Sequence, residues 1–192
     1  MTSDTGSVRR KKSLKCLAYV AAFVVFQTGI ILLFVLLVLK IRDPKVRIAS
    51  ISVENQHFST NSFSMDLKAR VTVKNTNFGH FKFDNSTATI SYFGTAVGEA
   101  TILKARARSR STKRFNITVP ISSSKVNNHR QLRRNLNSGV LNLSSTAKLS
   151  GNIHLFKIFK KKKSAEMSCT MELHTNTSSI ENLSCKWKFY HA

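Results

Sequence analysis

The sequence predicts a mostly β protein, an antiparallel β-sandwich with one α-helix, set behind a single transmembrane helix. Three observations predict it. Residues 16–39 carry no charge. From residue 40 onward, apolar residues recur at every second position in run after run, the period of a strand with one buried face. One stretch alone, Ser124 to Ser138, switches to helical spacing.

The apolar run comes first. Cys16 to Leu39 is 24 residues, with Gln27 and Thr28 its only strongly polar members. At 1.5 Å rise per residue it makes roughly 36 Å of helix, against a hydrocarbon core of about 30 Å. A cleavable signal has a shorter apolar core and a small-residue cleavage site. Here the run continues through Val35–Leu39 into Lys40 with no such site, so a retained anchor is expected. The chain of 192 residues then divides into a basic tail (1–15), the anchor (16–39) and one domain (40–192). Cys16, at the membrane entrance, is either a palmitoylation site or a plain helix residue.

Orientation rests on a narrow charge difference. Arg9, Arg10, Lys11, Lys12 and Lys15 precede the anchor, and Lys40, Arg42, Lys45 and Arg47 follow it. A domain of this size is translocated whatever its charge, and this one holds five glycosylation sequons, at Asn85, Asn116, Asn142, Asn176 and Asn182. The expected topology is a cytosolic amino terminus and a carboxyl domain outside the cell or in a lumen.

Phe63, Met65, Leu67, Ala69, Val71 and Val73 alternate with polar residues and predict a long strand, turned by Asn75-Thr76-Asn77 and Gly79. Ala88, Ile90 and Tyr92 form the next strand face, closed by Gly94 and Gly98. Phe115 to Ile121 and Leu141 to Leu149 give two more. Ile153 and Leu155 open a further strand, and Met167 to Leu173 and Leu183 to Phe189 form the last two. In the helical stretch Val126, Leu132 and Leu136 share a side. Ser123 or Ser124 is placed to cap its start, and Gly139 suits the position past its end. Seven or eight strands with one wet face are buried most simply as two packed sheets.

Asn116, Asn142 and Asn182 fall on polar strand faces, Asn176 in the turn between the last two strands, and Asn85 at a change of phase. A glycan at each would clear the core. Cys169 and Cys185 fall on the apolar faces of the last two strands, equidistant from Thr177. A hairpin turning there sets them opposite each other, either as a disulfide in an oxidising compartment or as two buried thiols.

No catalytic constellation, cofactor motif or metal-ligand spacing emerges from the sequence, so an enzyme is not expected. The distinctive feature is charge. Residues 40–192 carry 26 cations against eight acids, a net +18, which favours polyanionic partners. Lys104, Arg106, Arg108 and Arg110 alternate with small residues and predict a row of four cations on one strand, extended by Lys113 and Arg114. Lys157, Lys160, Lys161, Lys162 and Lys163 form a second cluster beside Phe156 and Phe159. Such rows guard edge strands against aggregation or bind anionic lipid headgroups or acidic cell-wall polysaccharide. Nucleic acid is excluded as a partner by the expected side of the membrane, and contact with other membrane proteins stays open.

The basic tail, the single anchor, Asn75-Thr76-Asn77 with Phe81 and Phe83, the segment Ile90-Ser91-Tyr92-Phe93-Gly94 with Val97-Gly98, and the late Cys169 and Cys185 belong together in one known group. Across roughly residues 10–190 the chain resembles the plant group 2 late embryogenesis abundant family, the water-stress-and-hypersensitive-response domain proteins, which include harpin-induced-like membrane proteins. Family members usually show Asn-Pro-Asn where Thr76 interrupts the two asparagines here. The resemblance implies a fibronectin-like sandwich with one helix and a plasma-membrane protein linked to defence or water stress. The leading expectation is a non-enzymatic, membrane-anchored binding or signalling module. The alternative is a lipid-handling sandwich, which an internal apolar cavity would favour.

Overall fold

The computed structural model describes residues 5–155 and 159–191. It separates into two compact units, Met1–Ile41 and Arg42–Ala192. The first is the helix α1 (Thr5–Leu39). It starts well before the apolar run, because the Arg and Lys residues of the expected tail are themselves good helix formers. Residues 1–4 of that tail lie outside the described residues. Lys15–Leu37 is long and apolar enough to cross a membrane, and every side chain along it is exposed. Thr28 donates its hydroxyl to the Val24 carbonyl at 2.6 Å, so its polar group is satisfied within the helix. Cys16 is a free, exposed thiol.

The second unit contains β1 (Lys45–Phe58), β2 (Phe63–Lys74), β3 (His80–Phe83), β4 (Ser86–Tyr92), β5 (Thr95–Ile102), β6 (Ala105–Ala107), β7 (Thr112–Ser122), α2 (His129–Ser138), β8 (Val140–Leu155), β9 (Phe159–His174) and β10 (Ser179–His191). All recorded pairings are antiparallel. One layer is β1-β2-β7. The other is built on β8, which pairs with β9 along its whole length and with β4 and β3 end to end on its other edge. β10 lies beyond β9, β5 beyond β4 and β6 beyond β3.

Two separate sheets were expected, and the structure corrects this to one continuous, barrel-like sheet. The layers join where β5 meets β7 at the single pair Gly98–Ile121. A Cβ on Gly98 would stand 2.3 Å from Ile121 Cγ2 and 2.5 Å from the Pro120 carbonyl oxygen, so only glycine permits this approach. Gly98 thus sits inside β5 and does not close the preceding strand; Gly94 alone occupies the turn, with φ +81°.

The alternating faces of β2, β7, β8 and β9 meet in the core, where Phe63, Leu67, Val73, Leu141, Ile153 and Leu173 are nearly inaccessible. Each such side chain contributes about 1.5–3 kcal/mol by leaving water. Ile153 and Leu155 do not open a new strand. They continue β8 through Gly151, where Lys82 O would lie 2.4 Å from a Cβ. The helix is shorter than expected: a 3-10 turn at Ser123–Lys125 precedes it, and Asn128 is its cap, accepting from Gln131 N. Gly139 ends it in the left-handed conformation, φ 78°, as glycine readily does.

Candidate functional site

β8 gathers residues that are far apart in sequence. Lys82 on β3 faces Arg106 on β6 and Asn152 on β8, and Asn152 faces Lys162 on β9. One step along, His80 faces His154, which faces Lys160. The intervening Phe81, Phe83 and Ile153 are buried, so by strand alternation the polar set lies on the outer face. With strands 4.7–4.9 Å apart, the four-strand row spans roughly 15 Å. Lys82, Arg106, Arg108, Lys160 and Lys162 are exposed, whereas His80 and His154 are half-buried.

The cations of this row act on both histidines. Burial lowers the His80 pKa below its ordinary 6.5, and Arg106, Lys82 and Arg108 lower it further. His154 is lowered by burial, then by Lys82, Lys160, His80 and Arg106. Both imidazoles therefore sit among cations carried by β3, β6 and β9 and take up a proton less readily than a free histidine. The Nδ1 atom of His80 is buried without a hydrogen-bond partner among the described residues. An anion placed here would offset the cation repulsion that adds to burial in lowering both histidine pKa values.

The end of this face is shaped by Asn75 and Asn77, both buried. Asn75 Nδ2 donates to the carbonyls of Gly79 (2.7 Å), Arg108 (3.0 Å) and Ala107 (3.3 Å). Its Oδ1 accepts from Asn77 N and Nδ2, each at 3.1 Å. Asn77 in turn holds Arg42 by both backbone groups: its Oδ1 accepts from Arg42 N at 2.6 Å and its Nδ2 donates to Arg42 O at 2.7 Å. The Asn77 carbonyl accepts from Arg110 N at 3.0 Å. Arg110 has φ 49°, and its guanidinium lies 4.0 Å above the centre of the Phe78 ring, a cation–π contact.

The predicted row of four cations is not one strand. β6 holds only Ala105–Ala107. Lys104 precedes it, donating its backbone N–H to Asn85 Oδ1 at 2.7 Å, and Arg110 lies in the following turn. Lys113 and Arg114 belong to β7, in the other layer. Lys160, Lys161 and Lys162 are exposed. Lys163 is a correction: it is buried, with Nζ 2.8 Å from Asp43 Oδ1, so its charge faces a carboxylate rather than solvent. Phe156 and Lys157 lie outside the described residues. His80, Lys82 and His154 complete the face without having stood out in the sequence.

Cys169 and Cys185 are register partners joined by a disulfide, with Cα atoms 4.0 Å apart. Asn85, Asn116, Asn142, Asn176 and Asn182 are all exposed. Asn182 is on a bulge of β10, φ 50°, rather than a regular strand face. Between the layers lies a cavity of about 70 Å³, lined by Ile48, Leu67, Ile90, Ile117, Leu149 and Trp187 among others.

A family model described as late embryogenesis abundant protein, LEA_2, matches residues 70–171, the segment running from β2 into β9. A late embryogenesis abundant protein of Arabidopsis thaliana is 32% identical over 178 residues, covering 90% of this chain and 83% of that protein. Among solved structures, the chain is similar to an Arabidopsis thaliana protein determined in solution (TM-score 0.42, 12% identity, 79% of this chain and 83% of that one). It is also similar to a crystallised protein from Archaeoglobus fulgidus (TM-score 0.35, 10% identity, 80% and 98%). By the family match and the extent of the Arabidopsis identity, the chain belongs to the late embryogenesis abundant LEA_2 family.

Proposed function

We propose that this chain is a non-enzymatic, membrane-anchored binding module of the plant cell surface that acts in stress or defence responses. Its amino terminus is cytosolic and its carboxyl domain apoplastic or lumenal. The observation that carries the reading is the joining, in one chain, of a single apolar span and a LEA_2 domain whose cations converge on one outer face. Family membership supports a stress-related role. The Cys169–Cys185 disulfide and the five exposed sequons support an oxidising, extracytosolic compartment. Glycosidase treatment of the protein from plant membranes is expected to increase its gel mobility. Mobility unchanged by the enzyme, together with cleavage of the carboxyl domain only after cells are permeabilised, would overturn the topology.

The cavity between the layers favours a second reading, a lipid-handling domain, because its lining is nearly all apolar and such a space stays dry unless an apolar ligand fills it. Native mass spectrometry of the full chain after exposure to fatty acids would reveal a bound acyl chain. Replacing Ile48 or Ala147 by Trp, both on the cavity wall, is expected to abolish that adduct.

A further inference from the structure

We propose that the basic face is a docking surface for net-anionic lipid headgroups of the membrane that holds the anchor. This rests on the reading of α1 as a membrane span. Three features support it: the first two tie the face to a membrane, and the third is its excess of cations.

The first is where the face ends. Arg42 begins the domain and is fixed to Asn77, the residue that also holds Arg110. Only two residues, Lys40 and Ile41, lie between Arg42 and Leu39, the last residue of α1, and the three steps make roughly 11 Å of fully extended chain. Surface potential decays over about 8 Å at physiological salt, so the end of the domain that holds Arg108, Arg110 and His80 can reach headgroup charge.

The second is composition. At this same end Phe78 is 44% exposed beneath the Arg110 guanidinium. An exposed aromatic ring stacked with a cation matches the layered chemistry of an interface, where apolar and charged groups lie side by side.

The third is the histidine pair. His80 and His154, their pKa values lowered by burial and by the neighbouring cations, lie beside Lys82, Arg106, Arg108 and Lys160, and among the described residues their register partners on β3, β6, β8 and β9 include no carboxylate. An outside anion would balance these cations.

The test uses the full chain in nanodiscs of phosphatidylcholine alone or with phosphatidylserine, read by hydrogen exchange at 75–82, 106–111 and 160–163. Exchange there is expected to slow on the order of tenfold with phosphatidylserine, since each basic residue at an anionic surface contributes about that order of stabilisation. The triple variant Arg106→Gln, Arg108→Gln, Lys160→Gln should lose the protection. Lys125→Gln, Arg130→Gln, Arg134→Gln, at the opposite α2 end, should keep it. Equal exchange in the two lipids, or protection unaltered in the first variant, overturns the proposal. Protection elicited by inorganic phosphate alone, or by oligogalacturonate but not phosphatidylserine, overturns it in favour of a soluble anion. Failure of the chain to co-elute with either disc overturns the membrane span as well, whereas co-elution without lipid-dependent protection overturns the docking alone.

Discussion

Asn75 shows how one side chain sets the shape of a surface. It satisfies backbone groups from the β2–β3 turn and from the end of β6 at once, so Asn75→Ala leaves several buried polar groups without partners. A loss of about 2–4 kcal/mol is expected, measurable by urea unfolding, with hydrogen exchange faster at Arg108–Ser111 than elsewhere. The histidine pair carries a second expectation. Both pKa values lie below 6.5 in the folded chain, so the unfolded chain takes up protons first as pH falls. Stability from this pair is present in full above pH 6.5 and is lost as pH falls through the folded values. A melting series from pH 7.5 to 5 should show the decline. The double variant His80→Asn, His154→Asn should flatten it; an identical slope in the variant would remove the pair as its source.

At the scale of elements, joins matter more than strands. Gly98→Ala forces a methyl against Ile121 and the Pro120 backbone where the two layers meet. A loss of about 1–3 kcal/mol is expected from overpacking, with β5 exchanging faster than β2 as the diagnostic sign. The β9–β10 hairpin is another such join. Its turn lies at Thr175–Ser178, and the pairs next to it would place Cys169 against Ser184; the bulge between Glu181 and Ser184 adds the residue that brings Cys185 into line. Replacing Cys169 and Cys185 by Ala should cost about 2–4 kcal/mol, the usual range for a closed loop of this size, by thermal unfolding with and without reductant. Sequence alternation made β2, β7, β9 and most of β8 legible because each keeps one phase. β1 was missed because its pairing shifts between Ile48 and Ser50, which breaks the alternation. β3 and β6 are too short, and β5 too rich in small residues, to show a period. The basic face was half legible. Arg106, Lys160 and Lys162 announce themselves in runs, whereas Lys82, His80 and His154 join them only through a β3–β8 register some 70 residues apart in sequence.

For the molecule as a whole, the cations on the domain are unevenly matched by carboxylates. Lys68 pairs with Glu54 and Lys163 with Asp43, while the outer face of β3, β6 and β9 presents its lysines and arginines to solvent. Under the proposed docking, raising salt should weaken association with anionic membranes steeply while changing melting temperature little, since exposed charges contribute little to folding. The place where the chain arrives from α1 has a further, mechanical consequence. Arg42 is gripped by Asn77, and Asp43 by Lys163 on β9. A pull transmitted along residues 40–44 therefore divides at once between the β2–β3 turn and the β9 hairpin, before it strains the ladder of β1. Tension applied at residue 40 would load the strands bearing the basic face first, leaving the α2 end slack.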